Sequence, residues 1–157
     1  MSATGFTHAS VHAHDLEESA RFYKELFGME NIPTPDFTSF SVRWLRVGGL
    51  QLHLIQRAEA APPSHHVGMD VDDFEAAYLK AKELDVRVKE GYFSNLYELP
   101  DGAVQMYVRD PAGNMVEVNW PEASTLDRSV VTEEIHKVPA ETDEAAKATL
   151  YLWRQRV

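Results

Sequence analysis

The chain repeats itself. The stretch His8-Ala-Ser-Val-His-Ala-His-Asp15, running on to Leu26, returns fifty-eight residues later as His66-Val-Gly-Met-Asp-Val-Asp-Asp73, running on to Leu84. A second pair follows: Gly49-Leu-Gln-Leu-His53-Leu54 returns as Gly113-Asn-Met-Val-Glu117-Val118, now sixty-four residues later, so the second copy carries an insertion of six. The chain therefore reads as two copies of one unit, residues 5–57 and 65–119. Any fold must be one that a unit of that size can build twice.

Each copy has the same grammar. A short strand opens it, Thr7 to Ala13 and then His66 to Val71. A helix follows. Asp15 has the character of an N-cap with Glu18 three residues on, Leu16, Ala20, Tyr23 and Phe27 recur at helical spacing, and Gly28 ends the run. In the second copy Asp73 caps, and Phe74, Ala77, Tyr78, Ala81 and Leu84 form the apolar stripe. Strands come next: Phe37 to Val47 and Leu50 to Gln56, turning at Gly48-Gly49, against Tyr92 to Tyr97, Val104 to Arg109 and Asn114 to Trp120. Turns fall at Pro100-Asp-Gly102 and Asp110-Pro-Ala-Gly113. The order is β-α-β-β-β, twice. Residues 121–157 lie outside the repeat. Pro121 breaks the last strand, and a helix is expected from about Thr142 to Trp153.

Composition narrows the partners. A formal net charge of −10 repels phosphate backbones, which argues against nucleic acid. No apolar run approaches the roughly 20 residues of a membrane helix, and the N-terminal residues lack a basic-then-apolar leader pattern. With no cysteine in the chain, disulfides and thiolate metal sites are excluded, and a cytoplasmic setting is the expectation. Of seven histidines, six fall before position 67, so imidazole is concentrated where the repeat begins.

Strand parity assigns those imidazoles to faces. His8, Ser10 and His12 share one side of the first strand, and Gln51, His53 and Ile55 one side of another. His66, Gly68 and Asp70 share a side, as do Met115, Glu117 and Asn119. The opposite sides are apolar and must pack on the helices. His8 and His66 are equivalent in the repeat, and so are His53 and Glu117. Three imidazoles and a carboxylate suit one divalent ion (Zn, Ni, Mn, Co or Fe). By the same parity Gln105, Tyr107 and Arg109 face the cavity, while Arg43 lies on a strand without clean alternation and could clamp an anionic substrate. His12 could act as a proton-moving group beside the ligands, and Tyr107 could donate a hydrogen bond to a bound oxygen.

On these residues the chain resembles the vicinal oxygen chelate superfamily, which includes glyoxalase I, methylmalonyl-CoA epimerase, fosfomycin-resistance thiol transferases, bleomycin-resistance proteins and extradiol dioxygenases. The matching segments are His8 to Asp15, Arg21-Phe-Tyr-Lys-Glu-Leu-Phe-Gly28, Leu50-Gln-Leu-His53-Leu54, His66 to Asp73, and Arg109-Asp-Pro-Ala-Gly-Asn-Met-Val-Glu117. The resemblance implies an α+β fold in which two tandem βαβββ modules form a cup-shaped mixed sheet, here residues 5–120, followed by a C-terminal helical extension over 121–157. It maps the metal positions onto His8, His53, His66 and Glu117, of which the second varies among members. It also implies a small-molecule substrate that offers two adjacent oxygens, and a homodimer whose modules can be exchanged between chains.

Within that family the residues favour Lewis-acid chemistry, such as isomerase, lyase or transferase reactions. Met106-Tyr107-x-x-Asp110-Pro111-x-Gly113-x-x-x-Glu117 resembles the second half of the extradiol dioxygenase signature, yet the histidine expected six to eight residues before Met106 is replaced by Glu98, Leu99 and Pro100. A fourth ligand, His53, would also occupy a position that oxygen needs. Three neutral imidazoles and one carboxylate leave a divalent centre with about one net positive charge, which suits an anionic chelate. Ring cleavage of catechols is the alternative, and non-catalytic sequestration of a small molecule, as in bleomycin-resistance proteins, is a third reading. A purely structural zinc site, closed by four protein ligands, would also use this donor set.

Overall fold

The computed structural model describes residues 2–152. The chain forms nine strands and three helices among these residues: β1 His8–Ala13, α1 Leu16–Phe27, β2 Glu30–Ile32, β3 Val42–Val47, β4 Leu50–Gln56, β5 His66–Asp70, α2 Phe74–Glu83, β6 Leu96–Glu98, β7 Val104–Arg109, β8 Met115–Trp120, β9 Ile135–Lys137 and α3 Asp143–Ala146. The repeat is visible in the topology. One sheet has the order β1-β4-β3-β2, and the other has β5-β8-β7-β6 with β9 added outside β6. Each copy is a βαβββ unit with the same strand order, and both sheets are mixed, as the resemblance implies. The chain divides into two compact units: residues up to 67 together with 109–115, and residues 68–108 together with those from 116 on.

In the first unit, β1 runs parallel to β4, β3 is antiparallel to β4, and β2 is antiparallel to β3. The helix forms where the sequence signals it. Asp15 accepts a 2.8 Å hydrogen bond from the Glu18 amide, satisfying one of the donors a helix start leaves open. Gly28 closes the helix at φ 63°, a left-handed conformation natural to glycine, and its amide reaches back to the Lys24 carbonyl. Between these ends, Ala20, Phe22, Tyr23 and Leu26 are buried, against Leu45, Leu52 and Leu54 of the sheet. Burial of each large side chain contributes roughly 1.5–3 kcal/mol. Arg43, on the same side of β3 as Leu45, meets Glu17 of α1, which fixes that side as the helix-covered one. The other side carries His8, Ser10, His12, His53 and Trp44.

The turn over residues 109–115 belongs to this unit. Its centre is Asp110, 5% exposed, which accepts hydrogen bonds from the Tyr23 hydroxyl (3.0 Å), the Ala112 and Asn114 amides and Asn114 Nδ2. Asn114 Nδ2 also donates to the His12 carbonyl of β1 at 2.6 Å. One buried carboxylate thus ties a turn to a helix, and its amide neighbour ties the turn to a strand.

In the second unit, Asp73 caps α2 as Asp15 caps α1, accepting from the Ala76 amide at 2.8 Å. Phe74, Ala77, Tyr78 and Ala81 are buried, as their spacing predicts, and Leu84 lies half-buried beyond the helix end. The apolar sides of the strands, Val104, Met106, Val108, Val116 and Val118, are fully buried.

Four elements differ from the sequence reading. The strand expected from Phe37 starts only at Val42. The residues before it bend, and Phe37 and Phe40 stack on each other at 4.9 Å instead of extending into the sheet. The short β2 was not anticipated. The strand expected over Tyr92 to Tyr97 opens as a 3-10 turn, Tyr92–Ser94, after Gly91 at φ 74°, and only Leu96–Glu98 extends. The helix expected from Thr142 is four residues long, and beyond it Asp101 captures the Thr149 hydroxyl and the Leu150 amide. Its expected end, Trp153, lies outside the described residues. The segment after Pro121 packs with the second unit and adds β9 parallel to β6. No helix among the described residues is long and apolar enough to cross a membrane.

Candidate metal centre

Four strands carry the four predicted ligands, and each unit shows its own part. In the first unit the rings of His8 and His53 stack at 4.2 Å with 14° between planes. They stand on adjacent parallel strands, on the side that α1 does not cover. Partial burial, with His8 alongside as the smaller cause, holds the His53 imidazole below its ordinary pKa. A neutral ring is the form that binds a metal. His53 Nε2 lies 2.8 Å from Gln51 Oε1. An amide oxygen only accepts, so the ring donates from Nε2 and carries its lone pair on Nδ1. His8 Nδ1 lies 2.9 Å from the Thr7 hydroxyl. His66, at the start of β5 and also within the first unit, donates from Nδ1 to the Ser64 carbonyl at 3.1 Å. That contact places its lone pair on Nε2, the pattern by which backbone carbonyls orient ligating imidazoles.

The carboxylate belongs to the second unit. Glu117 is 6% exposed on β8 and accepts a hydrogen bond from Tyr107 of β7. Burial first, then the Glu117 charge, pushes the Tyr107 phenol far above its ordinary range, so the hydroxyl stays protonated and donates. Gly68 leaves the space beside this carboxylate open. A Cβ there would come within 3.5 Å of Glu117 Oε1 and 3.3 Å of Asn119 Nδ2. Asn119, on the same side of β8, is buried with its Oδ1 lacking any hydrogen-bond partner.

These observations fit a divalent ion by donor chemistry: two stacked imidazoles of which one is held neutral, a third fixed in the Nδ1–H tautomer with its lone pair on Nε2, and a buried carboxylate beside a glycine-lined niche. His8 and His53 come together. Among the described residues, no group of three or more His, Asp or Glu side chains is gathered closely enough to hold a metal.

The remaining predicted residues fall as follows. His12 is half-buried, 3.4 Å from the Glu59 carbonyl, and lines a cavity of about 280 Å³ with Ser10, His65, His66, Asn114 and Met115. Gln105 is 8% exposed, opposite Tyr97 in the β6–β7 ladder. Arg109 spends its guanidinium on two backbone carbonyls, Gly113 at 2.7 Å and Pro63 at 3.0 Å. Arg43 stands on the helix-covered side with Glu17, away from the side that holds His53.

Trp44 is what the sequence reading missed. It is the register partner of His53, and its ring stacks on the imidazole, with centroids 4.4 Å apart and 5° between the planes. The signal was available. A two-residue turn at Gly48-Gly49 pairs residues equally far on either side of it, which puts Trp44 opposite His53.

Comparison with known proteins adds the following. The model of the family described as Glyoxalase/Bleomycin resistance protein/Dioxygenase superfamily matches residues 5–118. A curated relative, "Glyoxylase I 4" of Arabidopsis thaliana, is 24% identical over 130 residues, covering 75% of this chain and 71% of the relative. Among solved structures, lactoylglutathione lyase from Agrobacterium tumefaciens superposes with a TM-score of 0.56 at 24% identity, over 74% of this chain and 93% of its own. A mutant of the fosfomycin resistance protein FosX from Listeria monocytogenes, in complex with manganese(II) and a dihydroxypropylphosphonic acid, superposes with a TM-score of 0.64 at 15% identity, over 78% and 96%. At these identities the structural likeness is one of fold.

Proposed function

The chain belongs to the glyoxalase/bleomycin resistance protein/dioxygenase superfamily, and from that premise we propose that it is a metal-dependent enzyme acting on a small substrate with two adjacent oxygens. His8, His53, His66 and Glu117 would hold one divalent ion. The observation that carries this reading is the stacked pair His8–His53, with its neutral imidazole, on the side of the sheet no helix covers. The ion would supply Lewis-acid polarisation of a substrate oxygen. The protein's own contributions are physical. Tyr107 keeps its proton and orients Glu117 through it. Trp44 shields one face of His53 from water. Gly68 leaves room beside the carboxylate that any larger residue would take.

Ring-cleaving oxygenation is the second reading, favoured by Tyr107 lying against Glu117. It lacks the histidine its proton transfer needs. Glu98, one of the residues at that place, pairs with Lys137 at 3.4 Å, so Lewis-acid isomerase, lyase or transferase chemistry is the better fit. The assembly proposed is a homodimer in which each centre combines His8 and His53 with His66 and Glu117 of either subunit. In support, β1 and β5 are both sheet edges, with ladder groups to offer a partner.

Elemental analysis of the purified, zinc-reconstituted protein tests the metal assignment. About one ion per chain is expected, with loss in the His8→Ala/Glu117→Ala double variant; full retention in that variant overturns it. Turnover of hemithioacetals or acyl thioesters by the zinc-loaded protein supports Lewis-acid chemistry. Stoichiometric O2 uptake with catechols by iron-loaded protein replaces it with oxygenation.

A further inference from the structure

Arg109 has a task the sequence reading did not give it. Its guanidinium makes two hydrogen bonds from two different nitrogens: Nη1 donates to the Gly113 carbonyl at 2.7 Å, and Nη2 to the Pro63 carbonyl at 3.0 Å. Gly113 lies in Arg109's own turn. Pro63 lies forty-six residues away, on the connection between β4 and β5. All of these residues belong to the first unit.

That connection has little else to hold it. Residues 57–65 form no strand or helix. Pro62 and Pro63 carry no amide hydrogen, so the backbone there can be gripped only through its carbonyls. Earlier on the connection, the rings of His12 and His14 reach the Glu59 carbonyl only at 3.4 Å. The Arg109 bond is shorter and charge-assisted, which makes it roughly twice as strong as a neutral one. The next carbonyl along the chain, that of Ser64, accepts from Nδ1 of His66 at 3.1 Å. The guanidinium therefore holds the peptide unit immediately before the one that fixes the His66 ring. The grip also has a firm base. The turn of Arg109 is tied to α1 through Tyr23 and Asp110, and to β1, the strand of His8, by Asn114 Nδ2 donating to the His12 carbonyl at 2.6 Å. The gripped segment, through Pro62, His65 and His66, walls the cavity of about 280 Å³ that His12 shares.

We infer that Arg109 is a positioning residue: by bridging Gly113 and Pro63 it holds the Ser64 carbonyl where it fixes the His66 imidazole with its proton on Nδ1 and its lone pair on Nε2. That this lone pair binds a metal rests on the metal-centre reading above; that Arg109 sets the ring does not. A planar guanidinium fork reaches two carbonyls at once, whereas an ammonium is a point charge on a flexible stem, so lysine does not replace it.

Nitrogen NMR of labelled, zinc-free, full-length protein reports the tautomer at about pH 8.5, where imidazole is uncharged. The His66 signals are assigned by their loss in His66→Gln. Well-separated Nδ1 and Nε2 signals are expected in the native protein, with the proton on Nδ1. In Arg109→Ala and in Arg109→Lys the two signals should move toward each other as the tautomers exchange, while the His53 ring, held by Gln51, keeps its own. Zinc affinity should fall about tenfold in both variants, the size expected when the partner that orients a ligating imidazole is lost. A native His66 ring without the Nδ1 proton, or an unchanged tautomer in Arg109→Ala, overturns the inference, and so does an Arg109→Lys variant indistinguishable from native. Should Arg109→Ala fail to fold, Arg109→Lys, which keeps the charge, decides alone. Exchanging tautomers with undiminished zinc affinity keep the inference and remove His66 from the ligand set. Exchanging tautomers in a protein that never bound zinc keep the inference and discard the metal centre. Tautomer and zinc affinity both unchanged in the Arg109 variants, in a protein that loses zinc in His8→Ala/Glu117→Ala, do the reverse.

Discussion

Asp110 shows how a single side chain can look like chemistry and serve structure. It lies in the segment that resembles the ring-cleaving enzymes, yet its four hydrogen bonds all bind the turn to Tyr23 and to the turn's own backbone and amide. Burial outweighs those bonds and raises its carboxyl above the ordinary value of 3.8. A raised folded-state pKa means stability that is present below the unfolded value and lost as pH rises through the folded one. Asp110→Ala should cost about 2–4 kcal/mol at neutral pH, since it strands a buried phenol and two amides. Against Asp110→Asn, which cannot titrate, the native protein should gain relative stability on acidification toward pH 4. Urea unfolding of both at pH 7 and pH 4 checks the sign; a gap that narrows with acid contradicts it.

Residue identity and parity were enough to place His8, His53 and Glu117 on the sides the structure gives them. They gave no side for the Arg43–Trp44 stretch and no partners for Arg109, for a definable reason. Arg43-Trp44-Leu45-Arg46 has no polar–apolar alternation, because the Arg43 charge is met by Glu17, twenty-six residues earlier. The partners of Arg109 are backbone carbonyls, which no side-chain pattern records.

At the scale of elements, local signals served well where local physics decides. Both helix starts were legible because an N-cap carboxylate acts within three residues. Asp15→Ala and Asp73→Ala should each destabilise by about 1 kcal/mol. Their sites share no partner, so the double variant should lose about twice that, within a few tenths of a kcal/mol. Chemical denaturation of the three variants measures it; a strongly sub-additive double would show the two caps to be coupled. Elements set by distant partners were not legible. β9 exists because β6 offers an edge, and beyond α3 it is Asp101, 48 residues before Thr149, that holds Thr149 and Leu150. The loop of Phe37 and Phe40 reads as strand by composition, but its rings find each other before the backbone finds a ladder.

At the scale of the whole molecule, the duplication predicts that the two copies share one strand order, and the structure shows it. Copying leaves each sheet with two margins, and the margins differ. On one sheet the outer margin is β2, three residues long, bearing Glu30 and followed by Pro33. On the other it is β9, also three residues, ending at Lys137 and followed by Pro139. Short strands with charge and proline are poor templates for further pairing. The margins formed by β1 and β5 run six and five residues without proline. The proposed dimer should therefore appear as twice 17.8 kDa in sedimentation at micromolar concentration; a single-chain mass there argues against it.

In the language of polymer chemistry, the proposed dimer makes each chain a monomer with two reactive ends, β1 and β5, whose remaining ends carry chain stoppers. Two such molecules that satisfied each other's ends would close a ring of two, with only the stoppers left facing outward. Proline and charge at β2 and β9 would then guard that ring against further growth, and lengthening either stopper into a flat, uncharged strand is the change expected to turn a closed particle into an open one.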